Sequence, residues 1–352
     1  MYIMTQTEKA PSSVGSFGTT IVDEYNSRVR MAFHDKVIDT TEHLTSIISD
    51  FDEKLSTTKV TRAAAKFLIT SLQSEQLKQC AQERWYTFEA EIPLTGRWKD
   101  HAIVYMGKNM ENRTHISSEK TEQVRRYQQE ILNNLQSNHK VISHTNIVNQ
   151  SQERNPGYVF DFLNHDNLTT SDIEGIVEVY KSWFNDYCFE LNPGNVKKMI
   201  HDNNIVWVMR NKEWTIVSIG IGEFMTGNID TKEIRIMEIS DTATLKGYTG
   251  KWINKRIIAE IIKAAYDKYG NKVDIIFGEA RSVNPAVMKL ALDTQRMFFG
   301  NLPDAVSIHG TLDKEIDKEI ETTVHENPYG DLSVMAIVNW DIKKFVGETN
   351  LW

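Results

Sequence analysis

The stretch Glu238 to Ile262, EISDTATLKGYTGKWINKRIIAEII, decides how this chain folds. Its first residues suit a strand, a loop with Gly247 and Gly250 follows, and an amphipathic helix then runs to about Tyr269. The first turn of a helix offers free amides and about half a positive charge, so it attracts anions. Nearby cations are Lys246, Lys251, Lys255 and Arg256. The unit suits either a phosphate-binding turn or a plain turn that opens a surface helix.

Helices and strands alternate on both sides of this unit. Thr170 to Asp172 are good capping residues for a helix that we expect to end near Trp183. A helix with proline in its first position is predicted from Pro285 to about Arg296. Strands are predicted over Ile205–Met209, Trp214–Phe224, Glu233–Ser240, Val273–Gly278 and Ser333–Asn339. This alternation predicts an α/β protein whose mixed central sheet carries helices on its faces.

The first half of the chain has the pattern of a smaller α/β unit. A helix is predicted over Asp39–Lys54, and a strand–helix–strand pattern follows over Ala65–Ile92. Residues 136–156 are rich in Asn, Ser, Gln and His, which is typical of a linker. We therefore predict a disordered lead-in over 1–20, an N-terminal α/β domain over 21–140, a linker over 141–157 and a C-terminal domain over 158–352.

Composition restricts the classes of function. A net charge of −8 argues against nucleic acid or an anionic membrane as the main partner. No apolar run approaches the roughly 20 residues that span a bilayer, and the first residues do not resemble a secretory signal. Cys80 and Cys188 alone form neither a disulfide framework nor a zinc site. We therefore predict a cytoplasmic protein without a metal.

Several segments resemble the GNAT superfamily of acyltransferases, and within it the β-lysine N-acetyltransferases. The segments in the second half are IVEVYKSWFNDY at 176–187, EISDTATLKGYTGK at 238–251, GEARSVNP at 278–285, SIHG at 307–310 and LSVMAIVNW at 332–340. Weaker similarity lies in YTFEAEIPL at 86–94 and AIVYMGK at 102–108. The resemblance implies a GNAT-type sheet, acetyl-CoA as co-substrate, and acyl transfer to the amine of a small amino-acid-like substrate. It makes the N-terminal domain a candidate for a reduced GNAT-like half.

The resemblance also implies roles for individual residues. Glu238, or Glu223 on the preceding strand, acts as the base that deprotonates the amine. Arg281 holds an acidic group of the substrate. Roles in donor binding fall on Ile239, Ser240, Asp241, Thr249, Gly250, Lys251, Trp252, Ile253, Asn254 and Asn284. The general acid of many family members corresponds here to Ala291, which leaves Tyr329 or water as replacements.

Several alternatives stay open at this stage. Thr249, Trp252 and Asn254 depart from the family's Arg/Gln-x-x-Gly-x-Gly/Ala loop, and this favours a donor bound to an acyl carrier protein. An aminoacyl-tRNA-dependent tandem GNAT enzyme and a non-catalytic binding protein are further alternatives. Glu238 is equally compatible with a plain ion pair to Arg235 or Lys232. The sequence does not identify the acceptor amine, the acyl chain or the oligomeric state.

Overall fold

The computed structural model describes residues 20–23, 26–31, 33, 34, 36–111, 142–183, 191–200, 204–270, 273–281, 285–307 and 329–347, with isolated positions between 126 and 137. The described strands are β1 (Thr20–Asp23), β2 (Arg28–Met31), β3 (Val37–Ile38), β4 (Arg62–Thr70), β5 (Thr87–Pro93), β6 (His101–Asn109), β7 (Val159–Leu163), β8 (Ile205–Arg210), β9 (Ile216–Ile229), β10 (Lys232–Thr244), β11 (Ile275–Arg281), β12 (Met297–Ser307) and β13 (Tyr329–Val338).

The described helices flank these strands. They are α1 (Thr41–Thr57), α2 (Ser74–Glu83), α3 (His144–Arg154), α4 (Thr170–Lys181), α5 (Pro193–Met199), α6 (Ile253–Tyr269), α7 (Pro285–Asp293) and α8 (Asn339–Val346). The Thr169 side chain and Asp172 form a capping box at the start of α4, so the N-cap lies one residue before the predicted capping residues Thr170–Asp172. None of the helices in the described part of the chain combines the length and apolar character needed to cross a membrane.

All the described strands belong to one 13-stranded sheet. Its order is β1-β2-β4-β6-β5-β12-β13-β11-β10-β9-β8-β7, and β3 pairs with β4 off this path. The predicted mixed sheet with helices on its faces is therefore confirmed. The two halves of the chain are continuous through one sheet, while the predicted domain boundaries stay predictions.

Helix α6 lies against the second half of the sheet because its apolar residues recur on one face. Ile253, Ile257, Ile261 and Ala265 are each at most 1% exposed and pack with strand residues such as Met237. Burying side chains of this size stabilises the fold by roughly 1.5–3 kcal/mol each. The packing fixes the start of α6 relative to β10, which precedes it in the chain.

The opposite face of the sheet is covered in two places. Helices α4 and α5 pack on β8 and β9 through residues such as Ile176 and Val196. Nearer the middle, residues of β4, β5 and β6 share one core with β10, β11 and β13, for example Leu68 and Tyr105 with Ile236 and Phe277. The N-terminal half therefore supplies part of the core beneath the C-terminal strands.

The two halves join where β5 meets β12. The register there pairs Gly300 with Ala90. A Cβ atom on Gly300 would lie 2.6 Å from the carbonyl oxygen of Glu89 and 2.7 Å from the Cβ of Ala90. Glycine is required at this position because the backbones of the two halves approach too closely for a side chain.

The structure adds elements that the sequence analysis missed. Strands β1, β2, β3 and β7 were not predicted, and they are short, which makes their alternation hard to detect. Helix α3 lies within the range predicted as a linker, with Ile147 fully buried against α6. Helix α6 begins at Ile253 rather than Gly250, and α7 ends at Asp293 rather than Arg296. Residues 1–19 and most of the polar stretch 117–135 lie outside the described residues.

We expect Gly300→Ala to lower the free energy of unfolding by about 1–3 kcal/mol, because the added methyl group overpacks the junction. Chemical denaturation followed by circular dichroism measures this loss. Gly247→Ala is the matched control, since a Cβ there meets nothing within 4 Å. Equal stability of the two variants would contradict the close approach at Gly300.

Candidate functional site

Strands β10 and β11 pair over a short distance and then separate. Their parallel register covers Ile236–Ile275, Met237–Ile276 and Glu238–Phe277. Beyond this point β10 continues beside β9 to Thr244, and β11 continues beside β13 to Arg281. Past Glu238, the edge of β10 that faced β11 therefore has no strand partner in the described sheet, and it can accept an extended ligand.

The free part of β10 is also distorted. The register with β9 shifts between Ser240 and Ala243, and Asp241 has a left-handed φ of 48°. Such a bulge bends the strand and re-aims its groups. The Tyr180 hydroxyl donates a hydrogen bond to the carbonyl oxygen of Asp241 (2.8 Å). Burial raises the pKa of the Asp241 carboxyl to about 6. Helix α4 therefore holds the bulge in place.

The start of α6 lies just beyond this strand. Gly250 and Trp252 both have left-handed φ angles, 74° and 66°, and no side chain caps the helix. The first bond into the helix is from the Arg256 amide to the Trp252 carbonyl (3.0 Å), which leaves the amides of the preceding turn available. Asn254 Oδ1 is buried, and no residue in the described part of the chain donates a hydrogen bond to it. This turn can bind an anion through its amides.

Two cations lie close to the Trp252 ring. Lys255 Nζ is 3.7 Å and the Arg154 guanidinium carbon 5.0 Å from its ring centroids. Lys255 also pairs with Asp293 of α7 (2.5 Å), and Arg256 pairs with Glu260 (3.2 Å). These internal partners occupy two of the four cations that the sequence places near the turn, and Lys251 is exposed.

Helix α3 holds the turn from the other side. The Asn155 side-chain amide donates to the carbonyl oxygens of Ser151 (2.8 Å) and Lys251 (2.9 Å). His144 on the same helix contacts Glu260 of α6 (3.3 Å). The composition of residues 141–157, which predicts a linker, gives no indication of these contacts.

The two predicted bases lie side by side. Glu238 on β10 is the register partner of Glu223 on β9. Burial, and then the charge of Glu238, raise the pKa of Glu223 to about 7, although the Ser240 hydroxyl donates to its carboxylate (2.8 Å). A carboxyl with this pKa can take up a proton near neutral pH. The structure thus brings together the two candidates that the sequence left open.

Glu238 makes an ion pair that the sequence did not predict. Its carboxylate contacts Lys66 Nζ of β4 (3.0 Å), and the same ammonium contacts Glu279 of β11 (2.7 Å). Both carboxylates raise the pKa of Lys66 despite its burial, so the ammonium stays charged. Burial raises the pKa of Glu238, whereas the Lys66 charge holds that of Glu279 low. Of the two alternative partners considered for Glu238, Arg235 and Lys232, Arg235 pairs instead with Glu233.

Tyr105 of β6 completes this cluster. It is 2% exposed, and its hydroxyl has no hydrogen-bond partner among the described residues. Burial and the charges of Glu279 and Glu238 raise its pKa well above the usual value, so it remains a neutral donor. Lys66 Nζ lies 5.5 Å from the Tyr105 ring centroid and 5.0 Å from that of Phe277. A buried unused hydroxyl can bind a polar ligand.

The remaining predicted residues lie at strand ends or outside the described residues. Arg281 is the last residue of β11, opposite Leu332 of β13, and Tyr329 is the first residue of β13. Asn284 lies outside the described residues. Within the described ranges, no group of three or more His, Cys, Asp or Glu side chains is arranged to hold a metal ion.

No family model matches this sequence, and no curated protein sequence matches it. Solved structures do match the fold of part of the chain. The ribosomal-protein-S18-alanine N-acetyltransferase from Escherichia coli is 10% identical with a TM-score of 0.38, covering 55% of this chain and 99% of that one. Arabidopsis thaliana NAA60 in complex with acetyl-CoA is 12% identical with a TM-score of 0.39 (51% and 98%). A spermidine N-acetyltransferase from Vibrio cholerae is 14% identical with a TM-score of 0.39 (56% and 100%).

The raised pKa of Glu223 makes stability depend on pH. Between pH 4.5 and about 7 the folded protein keeps a proton that the unfolded chain has released, so stability falls as pH rises. We expect Glu223→Gln to abolish up to about 3 kcal/mol of this loss. Denaturation at pH 5 and pH 8 measures it. Glu213→Gln, in an exposed turn, is the control, and a pH dependence that is the same in both variants contradicts the raised pKa.

Removing the Lys66 ammonium leaves two buried carboxylates without their cation. We expect Lys66→Met to lower the free energy of unfolding by about 3–5 kcal/mol at pH 8 and by less at pH 5, where protonation relieves the repulsion. Lys263→Met, which removes an exposed pair to Asp267, should cost less than about 1 kcal/mol. A loss for Lys66→Met that does not depend on pH would be inconsistent with this arrangement.

Proposed function

We propose that this protein is a GNAT-type N-acyltransferase that moves an acetyl or other short acyl group from acetyl-CoA to a small amine. One observation carries the proposal. Strands β10 and β11 separate after Glu238 and Phe277, with the amide-bearing start of α6 beyond and a carboxylate pair beside the gap. A thioester arm needs an extended backbone edge, an anion site for its phosphate and a base near its carbonyl, and this region provides all three.

The donor binds along the free edge of β10. The backbone of Ile239 to Asp241 pairs with the pantetheine arm as an added strand would. The amides of residues 250–254 bind the pyrophosphate, assisted by the positive end of α6, while the Thr249 amide donates to the Lys246 carbonyl (3.4 Å).

Glu223 is the better base of the two carboxylates. An amine with a pKa near 10 is protonated at neutral pH and must lose a proton before it attacks. Glu223 has a pKa of about 7, whereas Glu238 is held in an ion pair with Lys66. Glu223 therefore accepts the proton, and Glu238 raises its pKa by adding negative charge nearby.

The reaction is direct transfer. The neutral amine attacks the thioester carbonyl, and the oxyanion that forms is bound by amides of β10. On the acceptor side, the Tyr105 hydroxyl and the carboxylates offer partners to a small polar amine such as an amino acid. We keep Arg281 as the candidate partner for an acidic group of that substrate. An amino-acid acceptor would agree with the resemblance to β-lysine N-acetyltransferases.

A donor bound to an acyl carrier protein is the second candidate, and one observation favours it. Trp252 takes a left-handed conformation that suits glycine, and its ring is held by Arg154 and Lys255 at the turn expected to bind pyrophosphate. A carrier-bound arm lacks the adenosine half of CoA and makes fewer demands on this turn.

The test is acyl transfer from acetyl-CoA to a panel of amino acids and diamines, measured as thiol release. We expect Glu223→Gln to lower kcat/KM by about 10²–10⁴-fold and to remove the rise in rate near pH 7. Glu213→Gln is the control and should keep full activity, because that exposed turn residue is remote from the carboxylate pair.

Two outcomes separate the alternatives. Transfer from a loaded carrier protein but not from acetyl-CoA identifies the second candidate. A thermal shift with CoA but no transfer to any amine points to a binding protein that kept the donor site. Absence of CoA binding, carrier binding and thiol release together would overturn the proposal.

A further inference from the structure

A buried arginine lies on the other face of the sheet from the carboxylates. Arg296 follows α7 and is 5% exposed. Its Nε donates to the Thr294 hydroxyl (3.3 Å), and no carboxylate pairs with its guanidinium among the described residues. An isolated charge in such a position is costly unless something compensates for it. The side chain therefore has capacity to bind an anion.

The end of α7 fixes the direction of this side chain. Gln295 has a left-handed φ of 60°, and the amides of Gln295 and Arg296 donate to the carbonyls of Leu292 (2.9 Å) and Ala291 (3.0 Å). This is a Schellman ending, which sets the backbone of Arg296. The negative end of the helix helps the protein to tolerate the charge before a ligand binds. Burial lowers the pKa of Arg296 to about 10, so it remains a cation at neutral pH.

The guanidinium reaches the point where β10 and β11 separate. A Cβ atom on Gly278 would lie 3.0 Å from Arg296 Nη1 and 3.0 Å from the carbonyl oxygen of Ile239. Because Gly278 has no side chain, the Arg296 guanidinium has room to lie beside this residue on its face of the sheet. Ala280, two residues further on the same face, packs against α7, whereas Glu279 between them contacts Lys66. Arg296 and the carboxylates therefore approach the gap from opposite faces.

We propose that Arg296 binds the sulfur of the departing pantetheine as a thiolate. The inference rests on the proposed function, in which the thioester lies in this gap. Glu223 first releases to solvent the proton that it took from the ammonium. The nitrogen lone pair of the neutral amine then forms the C–N bond, the second nitrogen proton passes to Glu223, and the C–S bond breaks with both electrons on sulfur. The thiolate leaves beside the guanidinium and takes a proton from solvent afterwards. Helix α7 contains no Tyr, His or Cys that could protonate the sulfur instead.

The test compares ligands that differ only at sulfur. Affinities of CoA and S-methyl-CoA are measured by calorimetry from pH 6.5 to 8.5, with 4′-phosphopantetheine and its S-methyl ether as the pair for a carrier-bound donor. In the wild-type protein, the preference for the thiol over the thioether should grow by up to about fiftyfold over this pH range, because the thiolate form is bound and its fraction rises from about 1% to about 50% for a thiol with a pKa near 8.5. Arg296→Met should abolish this growth and change S-methyl-CoA affinity less than about threefold, while Arg296→Lys keeps part of it.

Lys289→Met is the control, because it removes an exposed cation of α7 that pairs with Asp293. If the ligands bind but Arg296→Met leaves the pH-dependent preference unchanged, the thiolate role is wrong and the donor site stands. If neither ligand pair binds the wild-type protein, the proposed function fails and this inference fails with it. Should Arg296→Met not fold, the wild-type preference and the Arg296→Lys variant decide, and a wild-type preference that is flat with pH overturns the inference.

Discussion

The arrangement of this molecule depends on one buried ammonium. Lys66 lies between Glu238 and Glu279, and it comes from the half of the chain that does not carry those carboxylates. Two buried negative charges on adjacent strands repel each other strongly where the effective dielectric constant is low. The lysine relieves this repulsion only when β4 lies against the C-terminal strands. The chemistry of the second half therefore depends on the folding of the first.

The same constraint separates the tasks of the two carboxylates on β9 and β10. Lys66 contacts the carboxylate of Glu238, whereas the carboxylate of Glu223 accepts a hydrogen bond from the Ser240 hydroxyl, and the charge of Glu238 adds to burial in raising the pKa of Glu223. Neighbouring acids whose environments differ in this way titrate apart. The proposed roles, with Glu238 as a source of negative charge and Glu223 as the proton acceptor, therefore depend on the position of Lys66.

Much of the second half was predictable from sequence because the strand, turn and helix around Glu238–Ile262 have distinct periodicities. The Glu223–Glu238 pair was likewise within reach, since both acids lie in neighbouring predicted strands. Lys66, Tyr105 and Asn155 were not found, because their contacts cross between distant segments. A signal did exist for Lys66, which interrupts the apolar strand AAAKFLIT just as Glu279 interrupts IIFGEAR. An isolated charge in a buried strand implies a partner of opposite sign. No neighbouring residue in the sequence indicates a role for Arg296, because the space that its side chain occupies depends on Gly278 in another strand.

The pairing of Gly300 with Ala90 also affects the tendency of the protein to aggregate. A sheet that ended at β12 would present a strand of 11 residues along its border, which is a ready template for unwanted pairing. With β5 beside it, the sheet of described strands instead terminates at β1 and β7, which are 4 and 5 residues long. Short edge strands of this kind disfavour edge-to-edge aggregation. The N-terminal half therefore covers a long edge strand as well as completing the core.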